Sequence, residues 1–279
     1  MNRNCFDCKL NNTDDCFKPH CVSANGVNRA IKVVNRMLPG PAIQVCEGDL
    51  VIVNTYNNLH TFEATTIHWH GIKQHGTPHM DGVGMITQCS IMPHTHFEYK
   101  FYANDLGTHF WHAHSAGQRA DGIFGAIVVK ARNDSNSKLY DFDLDEHVMV
   151  VHDWMDQSYI TKFNAFLHDF GDESINGILV NGRGVDVLPL KHKLHFETPR
   201  SIFNVEKGKR YRFRVINSGV QYCPLQISID HHNMTIIATD GNSIEPIQVT
   251  SFYILAGINT LDYFSYNLLI IWFHLMIKI

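Results

Sequence analysis

Two of the His-x-His pairs in this sequence have a tryptophan within or beside them. The first is "HWH" at residues 68–70, and the second is "HAH" at residues 112–114. In a β-strand, residues two apart share one face with Cα atoms about 6.6 Å apart, and imidazole is the commonest protein ligand for metals. Neighbouring strands would bring both pairs into one pocket, so the pattern predicts a metal site. The four candidate ligands are His68, His70, His112 and His114.

Imidazole ligands alone do not select one metal. They suit Cu, Zn, Fe or Ni, and a mononuclear site of the cupin type remains open at this point. Among the other histidines, His109 lies three residues before His112 and therefore points to the opposite face, which indicates a structural role. The side chains of the adjacent His231 and His232 are expected to point in different directions, which argues against a shared metal. Four more are expected to face solvent: His75, His79, His94 and His96.

Short strands dominate the pattern around these motifs. The patterns of "DLVIVN", "HFEYKFY" and "GIFGAIVV" predict strands, and "RYRFRVIN" has the same kind of pattern later in the chain. No stretch has helical periodicity over three turns. A weak repeat relates "IQVCEGDLVIVN" to "FNVEKGKRYRFRVIN". The sequence predicts an all-β chain with a cysteine-rich arm at residues 1–21, domains at 22–140 and 141–250, and a hydrophobic tail at 251–279.

Composition limits the classes of partner and the compartment. The net charge of -4 gives no electrostatic case for nucleic acid or an anionic membrane. The apolar run at 268–277 is short for a membrane span, which needs about 20 residues, so membrane association is not expected. Four of the seven cysteines crowd the arm and predict disulfides in an oxidising compartment. We expect secretion, with a leader segment that is not in this sequence, since "MNRNCFDCKL" has no apolar core.

The motifs resemble those of a known family. "HWHG" followed by "DGVGMITQC", and "GTHFWHAH" followed by "QRADGIFGAIVV", are similar to the first two copper signatures of multicopper oxidases. "NRMLPGPAIQVCEGD" resembles the N-terminal strand region of that family, and "ATDGNSIEPIQV" resembles its second domain. The motif "THFWHAH" and the cysteine-rich arm are most similar to those of the insect-type laccase branch. The resemblance covers residues 20–250 and implies tandem cupredoxin-like Greek-key β-sandwiches, the second one truncated.

The resemblance also implies a cofactor and roles. His68 would be a ligand of the type 2 copper, and His70, His112 and His114 would be ligands of the paired type 3 coppers. These imidazoles would form half of a trinuclear cluster that reduces O2 to water. Asp81, in "HMDGV", matches a carboxylate that assists proton delivery there. The reducing substrates implied by the resemblance are phenols or diphenols.

One part of the family pattern has no counterpart in this sequence. The type 1 copper site of the family places a cysteine between two histidines, and none of the seven cysteines has that setting. We therefore expect an N-terminal piece of a laccase-like oxidase without a type 1 copper, inactive on phenols by itself. A non-catalytic, secreted copper-binding module and an unrelated mononuclear metal barrel are the alternatives.

Overall fold

The computed structural model describes residues 14–18, 21–60, 62–168, 175–186, 198–221, 224–257, 261–265 and 275–276. These residues form two β-sandwiches in tandem, which confirms the predicted all-β class. Most of the cysteine-rich arm lies outside the described residues, including Cys5 and Cys8. Cys16 is fully buried, and both Cys16 and Cys21 are disulfide-bonded.

The first sandwich contains strands β1 to β6. Their bounds are β1 (Ile43–Cys46), β2 (Leu50–Tyr56), β3 (Ile67–His70), β4 (His96–Tyr102), β5 (Gly107–Ala113) and β6 (Phe124–Lys130). One sheet has the order β1-β6-β5-β3, and β2 pairs with β4 in the other. The alternation of side chains in β3 and β5 turns Trp69 and Trp111 into the core between the sheets, where both are buried. The histidines of the two motifs therefore lie on the other face.

The second sandwich contains strands β7 to β16 and one helix. Their bounds are β7 (Val148–Trp154), α1 (Tyr159–Leu167), β8 (Gly177–Val180), β9 (Arg183–Asp186), β10 (Tyr211–Asn217), β11 (Leu225–Ser228), β12 (Met234–Thr239), β13 (Asn242–Val249), β14 (Ser251–Ile254), β15 (Leu261–Ser265) and β16 (Leu275–Met276). A seven-stranded sheet has the order β13-β12-β15-β10-β7-β8-β9, and β14-β11-β16 form the other. Short 3-10 helices cover Asp14–Phe17, Pro78–Met80 and Asp145–His147.

Two elements of the second sandwich differ from the sequence-based expectation. Helix α1 was not predicted because its nine residues are too short for three turns of periodicity, and none of them is buried. No strand was predicted after Thr250, yet β15 is hydrogen-bonded between β10 and β12. Pairing between segments far apart in sequence leaves no local signal. The boundaries placed at residues 140 and 250 stay predictions.

The histidine-bearing face of the first sandwich is also the face that adjoins the second sandwich. A buried apolar cluster joins the two: Phe110, Phe124, Ala126 and Val128 from the first, and Val148, Val150 and Ile216 from the second. The β5–β6 region is thus covered on both faces, which explains the nearly continuous apolar sequence of β6. Among the described residues, no helix is long and apolar enough to cross a membrane.

His152, at this junction, is expected to make stability depend on pH. It is fully buried and its ring stacks on Phe124 with centroids 4.1 Å apart. Burial lowers its pKa to about 4, assisted by Arg119 and opposed by Asp153. In the unfolded chain the pKa is about 6.5, so the unfolded state takes up the proton first as pH falls. The stability that neutral His152 contributes is therefore fully present above pH 6.5 and is lost as pH falls toward 4. At pH 5 the free energy of unfolding should be lower by about 2 kcal/mol for this reason.

Urea unfolding at pH 7.5 and pH 5 measures this effect. His152→Gln should lose about 2 kcal/mol less than the unsubstituted chain over that interval. His168→Gln, at an exposed position after α1, is the control and should retain the full dependence. Equal pH dependence in the unsubstituted and His152→Gln chains would contradict the assignment.

Candidate metal centre

The strand pair β3–β5 brings the histidines of the two motifs together. His68 and His112 are direct partners in the antiparallel register, and their ring centroids lie 5.4 Å apart. The ring of His70 lies 5.5 Å from that of His68 and 5.5 Å from that of His112. The ligand nitrogens of these three residues all lie within 4.8 Å of one another. Three of the four candidate ligands therefore converge on one point.

His114 lies beside this group. It follows the last residue of β5 and is exposed, with its ring centroid 5.5 Å from that of His68 and 6.0 Å from that of His112. Within the described part of the chain, its nitrogens do not belong to the three-residue set. The position just beyond the strand end leaves its side chain open to solvent.

Asp81 touches the site through His68. The Asp81 carbonyl oxygen lies 2.8 Å from His68 Nδ1, and its carboxylate oxygen Oδ1 lies 3.4 Å from the same nitrogen. A carbonyl in this position accepts a hydrogen bond from Nδ1–H, which keeps the ring proton on Nδ1 and leaves the Nε2 lone pair for a metal. Asp81 thus contacts the ring edge that faces away from the Nε2 lone pair. The geometry shows an orienting contact, and a part in proton delivery stays a prediction.

The three converging imidazoles are held in their neutral form. Burial lowers the pKa of His68, and the Asp81 carbonyl and carboxylate oppose this. Burial and the neighbouring His68 lower the pKa of His70 to about 4, against a hydrogen bond to the Gly257 backbone. Burial, then Arg119, lower the pKa of His112 to about 2. Neutral imidazole is the form that binds metal, so protons do not compete for these nitrogens near neutral pH.

The donor set fits a copper ion. His112 Nδ1 lies 3.0 Å from the Ala113 carbonyl oxygen. Nδ1 therefore carries the ring proton and donates a hydrogen bond to this carbonyl. His112 Nε2 then presents a lone pair to His70 Nδ1, 3.3 Å away. Two imidazole nitrogens that bind one ion at about 2 Å each are at most about 4 Å apart. Neutral imidazole is a ligand that suits copper.

Two residues of the site were not predicted from the sequence. Phe110 stacks on His70 and on His112, and Arg119 lies over the Phe110 ring. Phe110 precedes His112 by two residues, so strand alternation already places it on the same face and could have identified it. The hydrogen-bond partners of Arg119 are about a hundred residues away, and no local pattern indicates them.

Gly82 is expected to be essential to the His68 environment. Its φ is +83°, and a Cβ there would lie 1.7 Å from the Ile67 carbonyl oxygen in β3. Gly82→Ala should push the Asp81 segment away from His68, reducing copper affinity about tenfold or more and stability by roughly 2–4 kcal/mol. Gly76→Ala is the matched control, with φ +79° and no atom within 4 Å of the added Cβ. Isothermal titration with Cu(II) and urea unfolding measure both effects, and equal copper affinity in the two variants would contradict the role given to Gly82.

Family models described as multicopper oxidase match two stretches of the chain, residues 17–134 and residues 145–260. Among curated proteins, Laccase-3 of Thanatephorus cucumeris is 36% identical over 85% of this chain and 41% of its own length. Laccase-2 of Cryptococcus neoformans is 37% identical over 80% of this chain and 38% of its own length. The chain thus spans about two fifths of the length of these relatives.

Solved structures give the same family. The crystal structure of the laccase from Botrytis aclada has a TM-score of 0.75 and 30% identity over 87% of this chain and 44% of its own. The Blue Copper Oxidase from Nitrosomonas europaea has a TM-score of 0.65 and 27% identity, covering 83% of this chain and 68% of its own. The tandem cupredoxin-like fold is thereby confirmed, while the insect-type branch stays a prediction. Because the family models match both sandwiches, and because His68, His70 and His112 lie on two paired strands with His114 directly after one of them, the chain belongs to the multicopper oxidase family.

Proposed function

We propose that this chain supplies the first-sandwich ligands of a copper cluster in a laccase-like oxidase. That oxidase takes electrons from phenols or diphenols and reduces O2 to water. The observation that carries the proposal is the convergence of the His68, His70 and His112 nitrogens within 4.8 Å in a chain of this family. The laccases among its relatives favour an oxidase over a non-catalytic copper-binding module.

The roles of the residues follow from the resemblance and from their positions. His68 would hold the type 2 copper, and His70, His112 and His114 the type 3 pair. Copper bound there would supply one-electron redox chemistry, since imidazole binds both Cu(I) and Cu(II). The chain itself keeps the imidazoles neutral by burial, fixes the His68 and His112 rings through backbone carbonyls, and covers the inner part of the site with the second sandwich.

Asp81 is proposed as the carboxylate that passes protons toward reduced oxygen. Its side chain is partly exposed, at 28%, and adjoins the His68 ring. A carboxylate that reaches both solvent and the edge of the site can exchange protons between them. We propose no type 1 copper within this sequence.

We further propose that the chain divides near residue 140. An arm at 1–21 and a first domain at 22–140 precede this boundary. A second domain at 141–250 and the tail at 251–279 follow it. The separate apolar cores of the two sandwiches support this division. Secretion is proposed as well, because Cys16 and Cys21 are disulfide-bonded, and disulfides persist in oxidising compartments.

The function is tested on the complete product of the transcript that carries this reading frame. That product, expressed with copper, should consume O2 with an o-diphenol and form water, and His112→Gln should abolish the consumption. Failure of the complete product to consume O2 with phenols or diphenols would refute the proposal, as would full activity in His112→Gln.

Residues 1–279 by themselves are expected to bind copper without turning over an o-diphenol. The family collects electrons at a type 1 copper, and we expect no such site here. Visible absorption and O2 consumption of the copper-loaded chain check this. A blue thiolate–copper band together with sustained turnover would contradict it.

A further inference from the structure

One aromatic ring sets the planes of two of the histidines. Phe110 lies opposite His70 in the β3–β5 register and is fully buried. Its ring stacks on His70 with centroids 4.6 Å apart and planes inclined by 22°, and on His112 with centroids 5.1 Å apart and planes inclined by 28°. Because both imidazoles lie nearly parallel to the same ring, a tilt of that ring would turn both.

Arg119 joins this ring to the second sandwich. The guanidinium carbon of Arg119 lies 5.1 Å from the Phe110 ring centroid, within the range of a cation–π contact. Its Nε donates a hydrogen bond to the Ser218 carbonyl oxygen at 2.8 Å, and an Nη donates to the Gly219 carbonyl oxygen. The planar fork of arginine can serve both acceptors while it lies on an aromatic face, which a lysine ammonium cannot do.

The two carbonyls that accept hydrogen bonds from Arg119 belong to a turn that other hydrogen bonds hold in place. The Asp153 carboxylate accepts hydrogen bonds from the backbone N–H groups of Val220 at 2.9 Å and Gln221 at 2.7 Å. The Asn217 side chain accepts one from the N–H of Gly219 at 3.0 Å. A Cβ on Gly219 would lie 2.7 Å from an Asp153 carboxylate oxygen, so the turn closes tightly on that side chain. The acceptors therefore have little freedom to move.

The same turn reaches His70 by a second route. The Asn217 carbonyl oxygen accepts a hydrogen bond from the N–H of Gly257 at 3.2 Å, and Gly257 lies against His70, where an added Cβ would be 3.9 Å from the ring atom Cε1. The second sandwich thus contacts the His70 ring on one side through Gly257. Through Arg119 it also contacts the Phe110 ring, on which His70 stacks.

We propose that Arg119 is a positioning residue for copper: by clamping the Phe110 ring to the Ser218–Gly219 carbonyls of the second sandwich, it fixes the ring planes of His70 and His112. This inference rests on the proposed function only in taking copper as the ligand. It makes the geometry of a site built on the first sandwich depend on a turn of the second.

The test begins with the metal-free chain of residues 1–279. The ring-proton NMR signals of His70 and His112, which the ring current of the stacked Phe110 should shift, are compared in the unsubstituted chain and in Arg119→Lys. We expect both signals to move in Arg119→Lys and to stay in place in Arg36→Lys, which alters an exposed arginine. If Arg119→Lys does not fold, Arg119→Gln replaces it and should move the same two signals.

Copper binding is the second readout. We expect the copper affinity of Arg119→Lys to fall about tenfold, with a changed Cu(II) electron paramagnetic resonance spectrum. A loss of thermal stability with unchanged ring signals and an unchanged spectrum would overturn the proposal, because Arg119 would then only tie the sandwiches together. Failure of the unsubstituted chain to bind copper would refute the proposed function, whereas the metal-free ring signals test the positioning by Arg119 separately.

Discussion

A chain that ends at Thr250 is expected to lose the folded second sandwich. The truncation removes β15, which pairs with five residues of β10 on one side and five residues of β12 on the other. It also removes β14 and β16, the two partners of β11. At about 1 kcal/mol for each lost backbone hydrogen bond, the loss is comparable with the roughly 5–15 kcal/mol that stabilises a whole domain. Amide hydrogen exchange in β10 and β12 measures the effect directly.

A chain that ends at Ser265 provides the matched control. It retains β14 and β15 and, of the described strands, loses only the two-residue β16 at the edge of the three-stranded sheet. We expect near-normal protection of the β10 amides in this control and rapid exchange in the chain that ends at Thr250. Equal protection in both would mean that β15 contributes little, and the sheet order given above would be wrong.

Replacing His112 with glutamine is expected to lower copper affinity at least about 100-fold, since loss of a contact behind a ligand already costs 10–100-fold. His112 is the buried member of the converging set, and its Nε2 faces His70 Nδ1 at 3.3 Å. His114→Gln should have a smaller effect because His114 is exposed and lies outside the converging set. Competition titration against a chelator of known copper affinity gives both values.

His96→Gln is the control for this series. His96 lies on β4 of the same sandwich, is exposed, and stacks on Tyr56 instead of the metal-site histidines. We expect unchanged copper affinity in this variant. An order of losses in which His96→Gln or His114→Gln exceeds His112→Gln would place the metal elsewhere.

The part of the site that the sequence predicts is the part that one strand encodes. Alternation within a strand places His68 with His70 and His112 with His114, and it places the tryptophans in the core. The pairing of β3 with β5 could be inferred because two such motifs need a common face. The fold class followed in the same way, from short alternating segments separated by turns.

The contacts that cross between distant segments could not be predicted. The two carbonyl acceptors of Arg119 lie in a turn of the other sandwich, and the position of β15 depends on strands on both sides of it. The contact of Asp81 with the outer edge of His68 could not be predicted either, and the part of Asp81 in proton delivery stays a prediction. Such relations depend on how two sheets meet, and sequence periodicity carries no information on that.

X-ray absorption at the copper edge, on residues 1–279 loaded with Cu(II), tests the central claim most directly. We expect a first shell of nitrogen with the multiple scattering of imidazole, supplied by His68, His70 and His112, and a weakened imidazole signal in His112→Gln. A first shell with a sulfur ligand, or one of oxygen without imidazole, would contradict the assignment of these histidines as the copper site.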